Sequence, residues 1–268
     1  MEENIDNYLY WNKDYSMYDY YYKLNNIPIG WKKFFNNLSV KNEIKKISDE
    51  LCKKMEKNPD LKIYPEPYNI FNAFILTPIK NIRVYIGAQD PYINPNAAVG
   101  VAFSVGNPDN INPSLMNIMK KIENEIYIKN HKYFRDNSLK KKTDLFTGNL
   151  FHWAKQGVFL INAALTVEKG KSNSHASLWK KFFDLLITYI VNYFSRKNIF
   201  CIYLLMGKFS QNIIPKIING DNEILACSHP SPLGCNKRCG NFPSFNETVI
   251  FSRINEILKT KETVEIQW

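Results

Sequence analysis

Apolar positions along the chain fall into two kinds of pattern. The first has helical spacing. Over residues 42–57, Ile44, Ile47, Leu51 and Met55 mark one face of an amphipathic helix. A second helix is expected from Pro113, because proline suits the first helical turn, with Ser114, Leu115, Ile118 and Ile122 following. A third is expected over residues 177–194, which are so rich in Leu, Ile, Phe and Tyr that most of it must be buried. The second pattern is the short unbroken run: RVYI (83–86), VFLIN (158–162), IFCIYLLM (199–206) and EILAC (223–227). These runs are β-branched or aromatic, and helical patterns separate them. The alternation predicts a single α/β domain with a central four-stranded, mostly parallel sheet flanked by helices.

Two stretches fit neither pattern. Residues 136–148, DNSLKKKTDLFTG, read as a polar loop whose run Lys140 to Lys142 is solvated. Residues 1–26 interleave Tyr8, Tyr10, Tyr15, Tyr18, Tyr20, Tyr21 and Tyr22 with Asp and Asn, without a sustained period. They divide the chain into a Tyr-rich extension, 1–26, and a main domain, 27–268. The extension reads either as loosely attached or as an aromatic patch that docks on the body or on a partner protein.

The ends of the four runs carry the candidate chemistry. The first leads into Gln89, Asp90 and Tyr92. The second stops at Asn162, the third at Gly207-Lys208, and the fourth at Ser228-His229 followed by PSPLG. In an open α/β sheet, ligands bind beyond the carboxyl ends of the strands. Parallel strands would therefore bring Asp90, Asn162 and His229 to one edge, although no two are near in sequence. Singly, each has a plainer reading. Asp90 before a proline serves as an Asx-turn former or helix cap, Asn162 satisfies loop backbone, and His229 is a loop histidine. Three such groups at three strand ends favour a shared pocket.

Composition narrows the partners. The chain has 268 residues, 45% of them hydrophobic, enough for one large core, and a formal charge of +10 that suits a phosphate-bearing partner such as nucleic acid. The five cysteines are odd in number and lack a secretory context, so they read as free thiols. Cys235 and Cys239, with His229 upstream, fall short of the four ligands of a structural zinc site, and no metal is expected. No apolar run approaches the roughly 18 residues of a membrane span. The acidic N-terminus resembles neither a secretory signal nor a transit peptide, which predicts an intracellular protein of the nucleus or cytoplasm. Gly207-Lys208 does not close a phosphate-binding loop, since Ile202 stands where that loop needs glycine. A G-x-S-x-G elbow, a G-x-G-x-x-G turn after the first strand and a two-metal carboxylate cluster are all missing from the sequence.

Taken together, GAQDPY (87–92), VGVAFSV (99–105), WAKQGVFLINAALTV (153–167), NSH (173–175), LLMGKFSQ (204–211) and HPSPLG (229–234) resemble family 1 uracil-DNA glycosylases in order and spacing. IPIGWKKFF (27–35), IYPEPYNIFNAFILTPI (63–79) and EIQW (265–268) look like the same family, so the resemblance runs from about residue 27 to the end. It implies the uracil-DNA glycosylase fold and an enzyme that flips uracil out of single- or double-stranded DNA and hydrolyses its N-glycosidic bond, without metal or cofactor. Asp90 matches the carboxylate that faces the sugar cation and orients the water. His229 matches the neutral donor to uracil O2, helped by backbone around Gln89 and Asp90. Asn162 matches the amide that reads O4 and N3, Phe103 the stacking ring, and Tyr92 the ring that leaves no room for thymine's methyl group. Leu233 matches the wedge that fills the vacated stack, and Ser114 and Ser231 the hydroxyls that grip phosphate.

The chain departs from the family pattern at several positions. Ala88 replaces a glycine, where its Cβ is expected to crowd the backbone near the base, and Ile93 replaces a histidine, which predicts a slower rate. Lys208 replaces a serine, adding a charge for phosphate. Gly234 replaces a serine, and Met206 replaces a tryptophan. The other reading is a DNA-binding or polymerase-associated scaffold on the same fold, with residues 1–26 as its partner contact. That reading expects deletion of residues 1–26 to spare excision while abolishing a protein contact.

Overall fold

The four apolar runs become the strands of one parallel sheet flanked by helices, as their alternation with helical patterns predicts. The computed structural model describes residues 8–14, 16–107, 111–128, 148–218 and 220–268. In chain order its strands are β1 (Ile63–Tyr64), β2 (Val84–Ala88), β3 (Val158–Asn162), β4 (Val167–Glu168), β5 (Cys201–Met206) and β6 (Asn222–Cys227). Its helices are α1 (Met17–Tyr22), α2 (Lys32–Phe35), α3 (Leu38–Lys57), α4 (Asn72–Leu76), α5 (Pro113–Ile122), α6 (Phe151–Lys155), α7 (Ala176–Lys197), α8 (Lys208–Gln211), α9 (Ile214–Ile217) and α10 (Phe251–Thr260). Most of the loop expected over residues 136–148 lies outside the described residues.

The main sheet has the order β3-β2-β5-β6 and is parallel throughout. Its register sets Ala88 opposite Asn162, and Met206 opposite Cys227. Three of the four carboxyl ends thereby carry the candidate residues at one edge. The antiparallel pair β1-β4 was not legible in the sequence. Two residues per strand are too few to show a period.

Helix boundaries follow local chemistry. α3 starts earlier than its apolar face suggests, because the Asn37 side chain accepts from the Ser39 N–H and caps it. Asn112 caps α5 in the same way, with Pro113 in its first turn. α7 runs through to Lys197 and stops where Asn198 turns left-handed at φ 51°.

Alternation along the strands splits the core between the two faces of the sheet. Tyr85, Phe159 and Tyr203 face an aromatic layer with Trp31, Phe34, Phe35, Phe71, Phe74 and Phe182, against α3 and α7. Val84, Ile86, Leu160 and Leu204 face Leu115, Ile118, Ile254, Leu258 and Trp268.

The Tyr-rich segment docks on the body. Tyr8, Met17 and Tyr21 are buried. Tyr21 donates to the Pro67 carbonyl and accepts from the Phe71 N–H, Tyr22 donates to the Phe35 carbonyl, and Trp11 donates to the Pro65 carbonyl. Met17 and Tyr21 belong to the same aromatic layer as Trp31, so packing is continuous across residue 26. Deleting residues 1–26 would therefore open the core, and cannot serve as a neutral truncation. Among the described residues, no helix is long and apolar enough to cross a membrane.

Candidate active site

A cavity of about 330 Å³ opens at the carboxyl edge of the sheet, within the range of small-ligand pockets. Gln89, Asp90, Tyr92, Phe103, Ser114, Asn162 and His229 all line it. Three sequence-expected residues do not. Lys208 is exposed just after Gly207, Ser231 acts through its backbone, and Leu233 projects from the 229–234 loop with 83% of its surface exposed.

Beyond their last ladder bonds, β2 and β3 stay coupled. The Ala163 N–H donates to the Ala88 carbonyl and the Ala164 N–H to the Gln89 carbonyl, which fixes the turn that carries Asp90. Oδ2 of Asp90 accepts from the Ser172 hydroxyl at 2.9 Å and from the Asn173 N–H at 2.7 Å. The Asn173 side chain in turn accepts from the Gln89 amide. Asn173 is left-handed at φ 64°, a conformation asparagine tolerates better than most side chains. Ser172 and Asn173 were missed as site residues by sequence reasoning. Asn173 falls in the NSH motif that resembles the family, and Ser172 in the turn-rich stretch KGKSNSH, but neither signal says what the turn faces.

Asn162 ends β3 with only 7% of its surface exposed. Among the described residues its side-chain amide makes no hydrogen bond, so a donor and an acceptor both remain open to the cavity. Phe103 also lines the cavity and is held at φ 63°, uncommon for a bulky side chain. Two features maintain that strain. The Tyr92 hydroxyl donates to the Phe103 carbonyl at 2.8 Å, and burial pushes the Tyr92 pKa up, so the phenol keeps its proton. Upstream, the Gly100 carbonyl accepts from the Ala73 N–H so close to the Asn69 carbonyl that any Cβ at residue 100 would collide with it.

His229 stands at the mouth of the cavity, its ring centroid 6.3 Å from that of Phe103. Although exposed on one side, its ring is surrounded by enough protein that desolvation lowers its pKa. Nδ1 accepts from the Ser231 N–H at 3.1 Å, so the neutral ring carries its proton on Nε2. The loop holds itself together. Ser228 Oγ donates to the Gly234 carbonyl, the Gly234 N–H donates to the Ser231 carbonyl, and Asn117 of α5 donates to the Pro230 carbonyl. Gly207, at φ 92°, lets β5 turn directly beneath the ring, and a Cβ there would lie 3.0 Å from His229 Cβ.

The departures from the family pattern have local counterparts. Ala88 is half-buried at the cavity wall, in register with Asn162. Ile93 lines the cavity, and its carbonyl accepts from the Gly170 N–H. Met206 is buried in the sheet core. A Cβ at Gly234 would stand 2.9 Å from the His229 carbonyl, so this loop is shaped around glycine.

Comparison with known proteins gives a consistent picture. The family model described as the uracil DNA glycosylase superfamily matches residues 74–250. A uracil-DNA glycosylase of Campylobacter jejuni is 35% identical over 239 residues, covering 89% of this chain and 92% of the relative. One from Borreliella burgdorferi is 42% identical over 211 residues, covering 78% and 86%. Among solved structures, mimivirus uracil-DNA glycosylase superposes with a TM-score of 0.75 at 25% identity, covering 100% of this chain and 99% of that one.

Proposed function

The chain belongs to the uracil DNA glycosylase superfamily, and we propose from that premise how its cavity works. The activity is that of a uracil-DNA glycosylase: it hydrolyses the N-glycosidic bond of uracil flipped out of DNA and leaves an abasic site, the first step of base excision repair. The finer reading, a family 1 enzyme, is supported by the Asp90-Pro-Tyr turn and the His229 loop facing each other across one cavity.

The observation that carries the mechanism is this pairing of a carboxylate with a neutral imidazole. As the glycosidic bond breaks, positive charge grows on the sugar and negative charge on uracil O2. Asp90 stabilises the first and orients the water that adds to C1′. The Nε2–H of His229 donates to the second. Both groups are held by protein bonds before substrate arrives, so little reorganisation is needed at the transition state. The open amide of Asn162 pairs with the O4 and N3–H edge of uracil and mismatches cytosine's amine. Phe103 stacks on the base. Tyr92, bonded to the backbone of Phe103, cannot swing aside to admit a 5-methyl group.

On the rim, Leu233 fills the stack that the base has left, and Ser114, Ser231 and Lys208 contact phosphate. The five cysteines, all free, suit a reducing interior such as nucleus or cytoplasm. As for a protein partner, most of the segment's described tyrosines are already packed on the body, and Tyr10 is the large ring left well exposed among its described residues.

The test is an oligonucleotide bearing one uracil, incubated in chelator with the wild type or with Asp90→Asn, then cleaved at abasic sites with alkali. Strong cleavage by the wild type and little by the variant is expected. Equal cleavage by both would remove Asp90 from the mechanism.

A further inference from the structure

We infer that Ser172 is a positioning residue for Asp90, an inference that rests on the glycosylase reading and deepens it. Both donors found on Asp90 among the described residues, the Ser172 hydroxyl and the Asn173 N–H, converge on one oxygen, Oδ2. Oδ1 accepts no hydrogen bond among the described residues. Two donors on one oxygen fix the rotation of the carboxylate. They leave the lone pairs of the other oxygen for the water and the sugar.

The loop that presents Ser172 is tied down at both ends. The Lys169 N–H donates to the Lys62 carbonyl, the Gly170 N–H to the Ile93 carbonyl, and the Glu168 N–H to Ser174 Oγ at 2.8 Å. The Glu168 carboxylate is bridged by Lys54 and Lys171 at 2.8 and 2.9 Å. The loop therefore touches the Asp90 turn at three points: Gly170 to Ile93, Asn173 to Gln89, and the pair of donors to Oδ2. It holds its shape through groups other than the Ser172 side chain, which is exposed and has Asp90 as its partner. That hydroxyl contributes nothing to the core, so its bond to Asp90 is a feature of the site. Water competes with the bond in the free protein, but DNA lying over the cavity would exclude that water and strengthen it.

Maximal excision rate, KM and thermal midpoint would be measured on the full chain for the wild type, Ser172→Ala and Ser172→Thr, and for both Asp90→Asn and the Asp90→Asn, Ser172→Ala double variant. The expected result is a maximal rate about tenfold lower for Ser172→Ala, the scale of a hydrogen bond to a charged group, with KM and the midpoint unchanged. Ser172→Thr, which keeps the hydroxyl, should recover most of the rate. In the Asp90→Asn background, adding Ser172→Ala should cost nothing more, because the carboxylate it positions is gone. An active wild type with an equally active Ser172→Ala would overturn the inference and leave the glycosylase reading intact. So would the same loss in both backgrounds, which would mark a general effect on the fold. A wild type that excises no uracil would instead remove the glycosylase reading, and the inference with it.

Discussion

Asp90 and His229 face the same cavity, but they are held there by opposite means. The His229 side is local. Its ring nitrogen is fixed by the Ser231 N–H two residues away, and the loop closes on itself between Ser228 and Gly234. The Asp90 side is long-range. Its two donors lie 82 and 83 residues away in sequence, on a loop anchored through Glu168 to α3. A local clamp forms whenever its own loop forms. A long-range clamp holds only while two distant parts of the fold stay in register, so the Asp90 wall should be the more sensitive to anything that loosens the body.

The sharpest probe of this difference is Asp90 itself. Asp90→Asn keeps the shape of the clamp and removes the charge, and excision should fall about a thousandfold in single-turnover assays with DNA binding retained. A fall of less than about tenfold would mean that the clamped charge is idle.

Acid should next separate the two walls. His175 is fully buried beside the 172–173 loop, within 3.7 Å of Glu168, and burial with nearby Lys54 lowers its pKa to about 4. The unfolded chain takes up that proton near the ordinary value of about 6.5, whereas the folded one resists until about 4. Stability is therefore full above that ordinary value and is lost as pH falls through the window below it. Glu168, held down to about 2 chiefly by Lys54, adds its own loss only below the usual carboxylate range. Urea unfolding at pH 7 and pH 4.5 should differ by about 2 kcal/mol through His175, and His175→Gln should shrink the difference. An unchanged difference would place the acid sensitivity elsewhere.

Two smaller changes test the local wall. Gly207→Ala puts a Cβ against His229 at a φ that alanine resists, and should cost about 1–3 kcal/mol of stability together with part of the rate. A neutral result would show that β5 can turn without glycine. Asn117→Ala removes the hydrogen bond that ties Pro230 of the 229–234 loop to α5, and should raise KM about threefold with little effect on the maximal rate. A larger effect than that of Gly207→Ala would mean that the loop is less self-supporting than its internal bonds suggest.

The same contrast explains what was legible. HPSPLG carries its structure in neighbouring residues, so it could be recognised as a motif, as could the QDPY turn at the end of an apolar run, although the roles of both came from the family resemblance. Ser172 and Asn173 carry none of their meaning locally, because it depends on Asp90. The Tyr-rich segment posed the same difficulty. Tyr21 is fully buried only because Pro67 and Phe71 meet it from nearly fifty residues away, and its irregular spacing reflects a fit to that surface. β1 and β4 stabilise each other, but neither is long enough to announce itself.

By itself, then, the sequence determined the clear periods: three of the helices, the four strands of the main sheet, and the polar residues that stand at their ends. Those depend on side-chain spacing and turn chemistry within a few residues. The tertiary structure decided which atoms meet. It chose the left-handed backbone at Phe103 and Asn173, bonded the Tyr92 hydroxyl to the Phe103 carbonyl, and brought two donors to one oxygen of Asp90. A hydrogen bond is settled within tenths of an ångström, and only the packed sheet and its anchored loops position residues so far apart in the chain that closely.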